Sequence, residues 1–338
     1  MTKRRVAVLG AGSWGTALAV HLGRIGHDVH LWSRDAALAA EIVSRRSNPV
    51  YLPEVRLPDQ VSVDVSLGRA LAESSLVVSA IPSHGCRTVM RDAAPYFHRD
   101  AIVVSATKGL EPETLLRMSE VIGQELRSAH AVVALSGPSF AIEVARQLPT
   151  AVLAASVDPE ATALVQSEFR GPHFRLYGSS DVIGVEIAGA MKNVIAIAAG
   201  VVEGLGLGHN ALAALITRGL AEVTRLACAA GGRRETTAGL SGLGDLVLTC
   251  TGSLSRNRQV GIELGRGRPL RDILAGMKMV AEGVKTTSVT LALGERYGIE
   301  LPIATQMAAV LEGRSHVRAA VEALMERPQR AETETRNE

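Results

Sequence analysis

Three features predict an α/β fold with a mostly parallel, doubly wound sheet, followed by an all-α domain. Short apolar runs recur at residues 5–9, 29–32, 75–81, 101–106, 132–135 and 151–154. Helical patterns at 16–25 and 113–126 lie between some of them. From residue 182 to about 230 no strand pattern is evident, and apolar residues recur at helical spacing. Strands that are apolar on both sides need cover on both faces, which a parallel sheet between helices provides. At roughly 100–200 residues per domain, a chain of this length predicts two domains. We expect them over residues 1–182 and 183–327, with a polar tail at 328–338.

The first element is the most informative. Residues 5–9 form a strand, then comes Gly10-Ala11-Gly12-Ser13-Trp14-Gly15. Ala17, Leu18 and Leu22 give the next run a helical face, Gly26 ends it, and 29–32 is a second strand. Strand, glycine turn, helix and strand within about 30 residues make a βαβ unit. Pro82 stops the strand at 75–81. In the second half, Leu212, Leu215, Ile216, Leu220, Val223 and Leu226 mark a helix. Further helices are predicted at 258–266, 285–297 and 302–325. Gly231, Gly232, Gly239, Gly242, Gly244 and Gly252 interrupt them, which predicts a loop or broken helix with a functional role.

Composition excludes several classes. Lys plus Arg number 36 against 34 Asp plus Glu, so no basic field suits nucleic acid. Aromatics are 3%, too few for a base-stacking platform. Cys86, Cys228 and Cys250 form no close pair, which argues against a disulfide framework or zinc site and fits a reducing cytoplasm. The histidines show no metal-ligand spacing, so no metal is expected, and no G-x-S-x-G elbow supports a serine hydrolase. Lys3, Arg4 and Arg5 before an uncharged run, with Ala17-Leu18-Ala19, imitate a signal peptide. Gly10, Gly12, Ser13, Gly15, Thr16 and His21 make that run too polar for one, or for a membrane span.

The Gly10-x-Gly12-x-x-Gly15 motif sits where a dinucleotide-binding Rossmann unit needs it. The first glycine permits the turn, the second lets backbone approach a pyrophosphate, and the third lets helix pack on strand. An acid normally ends the second strand and binds the ribose of NAD. Here Ser33 and Arg34 stand there, which favours NADP, while Asp35, one residue late, keeps NAD open. Lys108 follows the strand at 101–106, and Gly137 and Ser139 follow the strand at 132–135, at the ends where such sheets bind ligands. On position alone, these are also ordinary loop residues. Lys192, with Asn193 beside it, lies in a run that is apolar nearly all round. A lysine there either snorkels to a domain edge or is buried with a partner and a lowered pKa, as a general base requires. Asp245 offers that partner, and its charge would raise the pKa against burial. Arg256 has the planar fork that suits a phosphate.

Together these residues resemble the bacterial NAD(P)-dependent glycerol-3-phosphate dehydrogenases. The matching pieces are Gly10–Ala19, Ala106–Leu110, Leu135–Ala141, Met191–Asn193, Gly242–Leu246 and Ser255–Asn257, in family order. The resemblance implies an N-terminal Rossmann domain that holds NAD or NADP and a helical domain that closes the substrate cleft. It implies interconversion of sn-glycerol 3-phosphate and dihydroxyacetone phosphate, supplying glycerophospholipid synthesis. Lys192 matches the proton-transferring lysine. Lys108, Gly137, Ser139, Lys192, Asp245, Ser255, Arg256 and Asn257 match substrate positions. Ser13, Trp14, Arg34, Ala141, Val280 and Glu282 match cofactor positions, with Lys108 and Arg256 also near the cofactor, beside Gly10, Gly12 and Gly15 of the turn. A small phosphate ester is then the partner, and a homodimer is compatible. Two rival readings differ in chemistry: a dehydrogenase of carboxylate substrates, and a non-catalytic dinucleotide sensor, which leaves Lys192, Asp245 and Arg256 unexplained.

Overall fold

The computed structural model describes residues 3–127, 130–277, 281–329 and 331–332. β1 (Arg5–Leu9) leads into α1 (Ser13–Arg24) and β2 (Asp28–Trp32). Next come α2 (Ala36–Arg45), a small hairpin of β3 (Ser47–Asn48) and β4 (Leu52–Arg56), β5 (Val61–Asp64) and α3 (Leu67–Leu71). β6 (Leu76–Ser79), α4 (Ser83–Ala93), β7 (Ile102–Ser105), α5 (Met118–Glu125) and β8 (Val132–Ser136) follow. α6 (Ala141–Ala145), β9 (Thr150–Ala155), α7 (Pro159–Phe169) and β10 (Phe174–Ser179) complete this part. The sheet order is β10-β9-β8-β7-β6-β1-β2-β5. All its pairs are parallel except β8 with β9.

The alternation in β1 explains the two covered faces. Val6 and Val8 pack into the cluster that holds Ala17, Leu18 and Leu22 of α1. Ala7 and Leu9 point the other way, toward Met90 of α4 and Val121 and Ile122 of α5. The run that imitates a signal peptide is therefore an inner strand of the sheet and its crossover helix.

Several elements differ from the sequence expectation. β5 and β10 are edge strands; β10 alternates buried and exposed residues at its start and β5 buries only Val61, so neither shows a continuous apolar run. The hairpin β3–β4 is too short and polar to show one. α5 starts at Met118 rather than 113, because Leu115 takes φ 62° and Leu110 bridges Arg117 in a tight turn. The helix expected over 302–325 is two, α15 (Pro302–Leu311) and α16 (Val317–Met325). Gly313, at φ 72°, breaks it in the left-handed region that suits glycine.

The helical part begins with α8 (Val182–Gly204) and α9 (Gly208–Ala229). The glycine-rich stretch is a broken helix: α10 (Arg234–Ala238), a π-helical turn at Leu240–Gly244, and α11 (Asp245–Thr251). α12 (Arg256–Gly265), α13 (Leu270–Ala275), α14 (Glu282–Arg296), α15 and α16 complete it. Every residue of α8 from Gly184 to Val202 is buried. Its length and apolarity would suit a membrane, but its neighbours cover it and it carries Glu186, Lys192 and Asn193.

α8 crosses α12 backbone to backbone. A Cβ at Gly200 would run into the Arg258 carbonyl oxygen, and one at Gly261 into that of Ile197. Gly204 and Gly265 repeat the contact one turn on. Four bare positions thus let the two helices touch, and they set where α12 begins relative to Lys192. Gly261→Ala should cost about 1–3 kcal/mol through overpacking. Urea unfolding checks this, and an unchanged midpoint would show that the helices part freely.

Candidate active site

The loops after β7 and β8 meet at the end of the sheet. Thr107 Oγ1 donates to the Ile81 carbonyl at 2.7 Å, fixing the start of the first loop. Lys108 then reaches Gly137, donating to its carbonyl at 3.0 Å. Gly137 has φ 140°, which only glycine adopts readily, and Ser139 Oγ donates to the same carbonyl at 3.0 Å.

Asp245 joins the two parts of the chain. It opens α11 directly after the π-helical turn and is fully buried. Its Oδ2 accepts from Lys108 Nζ at 2.6 Å and its Oδ1 from Lys192 Nζ at 2.5 Å. Lys192 also donates to Thr249 Oγ1 at 2.8 Å, and that hydroxyl donates to the Asp245 carbonyl at 2.6 Å. Burial pushes the Lys192 ammonium down to about 8; Asp245 opposes that shift and Lys108 adds to it. Residue 192 is 8% exposed, so its side chain is largely withdrawn from water. Thr249 belongs to none of the sequence motifs. Its signal is the i,i+4 spacing from Asp245, which puts both side chains on one face of α11.

A second tie lies beside it. Asn257 Nδ2 donates to Asn193 Oδ1 at 2.9 Å, and Asn257 Oδ1 accepts from Gly283 N at 2.9 Å. The Asn257 side chain thus joins α8, α12 and α14. Its second amide hydrogen, its second oxygen lone pair and its backbone are what it retains for a ligand. Ser255 caps α12, its Oγ accepting from Arg258 N at 3.2 Å. Arg256 is exposed at the start of that helix. Glu282 opens α14; burial raises its carboxyl, against the pull of Arg256, Lys192 and Lys108.

The glycine turn separates fold from ligand requirements. Gly10 has φ 115°, and its Cβ would sit 2.7 Å from the Ala80 carbonyl oxygen. A Cβ at Gly15 would strike the Gly10 carbonyl. Both glycines are required by packing. Gly12 has φ −74° and nothing within 4 Å of a Cβ, so the fold does not require glycine there. A closely approaching pyrophosphate does. Gly12 also caps α1 without a side chain, and no acid lies in that helix's first turn, which begins Ser13-Trp14. The turn therefore fits a dinucleotide. Among the described residues, the buried Trp14 indole Nε1 has no hydrogen-bond partner.

After β2, Ser33 is buried and its Oγ donates to the Asp35 carbonyl at 3.0 Å. Asp35 caps α2, accepting from Ala37 N and Leu38 N at 2.9 and 3.1 Å. Arg34 stays exposed between them. Ala141 opens α6 after the Gly137 loop. Val280 lies outside the described residues. Among the described residues, no three His, Cys, Asp or Glu side chains are grouped to share a metal. A 390 Å³ groove lined by Leu291, Ile299, Leu301, Leu324 and Arg327 involves none of these groups.

The family models of NAD-dependent glycerol-3-phosphate dehydrogenase match this chain, the N-terminal model over residues 5–162 and the C-terminal model over 181–322. The chain belongs to this family. The NAD(P)+ glycerol-3-phosphate dehydrogenase of Koribacter versatilis is 53% identical over 332 residues, 97% of this chain and 98% of the relative. That of Syntrophotalea carbinolica is 50% identical over 329 residues, 97% of this chain and 99% of the relative. The crystal structure of glycerol-3-phosphate dehydrogenase from Coxiella burnetii matches with a TM-score of 0.93 at 39% identity, covering 96% of this chain and 99% of that one. These matches confirm the dehydrogenase family that the motifs pointed to.

In this glycerol-3-phosphate dehydrogenase family member, Asp245 holds the Lys192 pKa up against burial. Asp245→Asn removes that charge and should move the inflection of the pH–rate profile below about 8. An inflection that stays in place or rises would show that Asp245 does not set it.

Proposed function

We propose that the Lys108–Asp245–Lys192 cluster is the reaction centre at which this chain interconverts sn-glycerol 3-phosphate and dihydroxyacetone phosphate. The observation that carries this reading is Lys192, a buried lysine brought to about 8 and held at its Nζ by Asp245 and Thr249. An ordinary lysine stays protonated at neutral pH and is a poor base.

Bound at the glycine turn, NAD or NADP supplies the nicotinamide that accepts or returns the hydride. The protein handles the proton and the placement. In oxidation, neutral Lys192 takes the proton of the C2 hydroxyl. In reduction, protonated Lys192 returns it to the C2 oxygen. Lys108 adds positive charge near the same oxygen, where negative charge develops. Arg256 and the backbone at the start of α12 hold the phosphate, as helix starts suit anions. That anchor places C2 against Lys192, and remote binding energy serves the reacting centre. Arg34 provides the cation for a 2′-phosphate, which favours NADPH.

The product carries the glycerol phosphate backbone of glycerophospholipids, and we assign the chain to that supply, in the cytoplasm. The three cysteines are free, and burial pushes the Cys86 and Cys250 thiols up to about 12, so neither is a reactive thiolate.

NADPH consumption should require dihydroxyacetone phosphate, and 2-keto acids should not replace it. Consumption with a keto acid alone would transfer the site to the carboxylate-substrate dehydrogenases. Lys192→Met should lower turnover by about 10²–10⁴-fold with cofactor affinity little changed. Near-normal turnover would remove Lys192 from the mechanism. Arg256→Ala should raise KM for the phosphate ester by about 10–100-fold. An unchanged KM would place the phosphate elsewhere.

A further inference from the structure

We propose that Asn48 is a positioning residue that aims the backbone of the cofactor-binding turn. The inference rests on the reading that Gly10–Gly15 carries the pyrophosphate. Asn48 ends β3 and is fully buried. Its Nδ2 donates to the Ala11 carbonyl at 2.8 Å and to Thr16 Oγ1 at 2.9 Å. Its Oδ1 accepts from Val50 N at 3.3 Å and Tyr51 N at 3.0 Å. Both amide hydrogens and both oxygen lone pairs are thus engaged.

The consequence is directional. The Ala11 carbonyl and the Gly12 N–H belong to one trans peptide and point opposite ways. Fixing the carbonyl on Asn48 sends the Gly12 N–H away from the hairpin, at the residue whose surroundings are open. Thr16 lies in the second turn of α1 and is fully buried, so the same amide also holds that helix's start. On the other side, the two bonds to Val50 and Tyr51 fix the bend between β3 and β4. The β3–β4 hairpin is therefore a brace for the turn. Only an amide does this. A carboxylate has no hydrogen to give the Ala11 carbonyl, and alanine would leave that carbonyl and the Thr16 hydroxyl, both buried, without this donor.

The test compares ligands with and without a pyrophosphate, read by the emission of Trp14 and Trp32, the two tryptophans of the chain. Asn48→Asp should weaken NADPH and ADP-ribose by about tenfold or more, in step. Binding of adenosine 2′-monophosphate, which carries no pyrophosphate, should stay within about twofold. A merely structural role would weaken all three ligands together, and that result, or unchanged NADPH affinity, overturns the proposal. Should Asn48→Asp fail to fold, Thr16→Val decides. It removes one acceptor and should give a smaller loss with the same ligand split, while unchanged affinity again overturns the proposal. Gly12→Ala separates this inference from the reading beneath it. A Cβ there meets no protein atom, so thermal stability should hold while NADPH weakens. Normal NADPH binding by Gly12→Ala would remove the pyrophosphate from the turn. Weak binding by Gly12→Ala with normal binding by Asn48→Asp would overturn the Asn48 inference alone.

Discussion

One buried carboxylate holds two lysines from distant parts of the chain, and the site is organised around it. Lys108 comes from the loop after β7, Lys192 from the middle of α8, and Asp245 from the first turn of α11. Two ammonium groups this close would repel each other, and a buried carboxylate without a partner would be strongly destabilised. Each charge is tolerable only because the others are present. The balance leaves a net positive cluster in which burial outweighs Asp245 for Lys192 and moves its pKa to about 8. Without Asp245, desolvation would leave little of the lysine charged. Without burial, the lysine would stay protonated. A group that must both take and give a proton needs the intermediate case.

That cluster depends on how tightly the helices around α8 approach. Gly200 and Gly204 meet Gly261 and Gly265 with no side chain between them. Gly283 comes equally close to Asn193, where a Cβ would fall 2.6 Å from its carbonyl oxygen. The Asn193–Asn257–Gly283 bonds then fix α12 and α14 on the same helix. Arg256 and Glu282, one residue away from this tie, are carried to the edge of the lysine cluster. A shift of about 1 Å in the crossing would move the proposed phosphate anchor relative to Lys192, and misplacement on that scale lowers rate.

The sequence reveals more of the chemistry than of the connections. Lys192 stands out because an apolar helix leaves a lysine no ordinary place. The three glycines stand out because each role is local, and the structure assigns Gly10 and Gly15 to packing. Asn48 is illegible, since its partners are Ala11 and Thr16 across 37 and 32 residues and nothing in the local pattern marks them. The antiparallel turn of β9 against β8 is hidden for the same reason, because strand direction depends on the path between strands. β5 and β10 are hidden because edge strands mix polar and apolar residues rather than run apolar. Asn257 shows the limit from the other side: its place in a family motif suggests a ligand contact, while half of its side-chain hydrogen-bonding capacity joins three helices.

The proposed division of labour has an electrostatic logic. The two anions of the reaction are assigned to starts of helices, the pyrophosphate to α1 and the substrate phosphate to α12. Neither helix carries an acid in its first turn. Backbone dipoles are fixed, do not titrate and need no reorganisation when charge arrives. The titrating work is left to one lysine between them. Asn48 belongs to the fixed part of this scheme, because a dipole binds well only when its peptide is held in one orientation. A buried amide with every hydrogen bond made holds that peptide without adding a charge of its own, so it leaves the balance at Lys192 undisturbed.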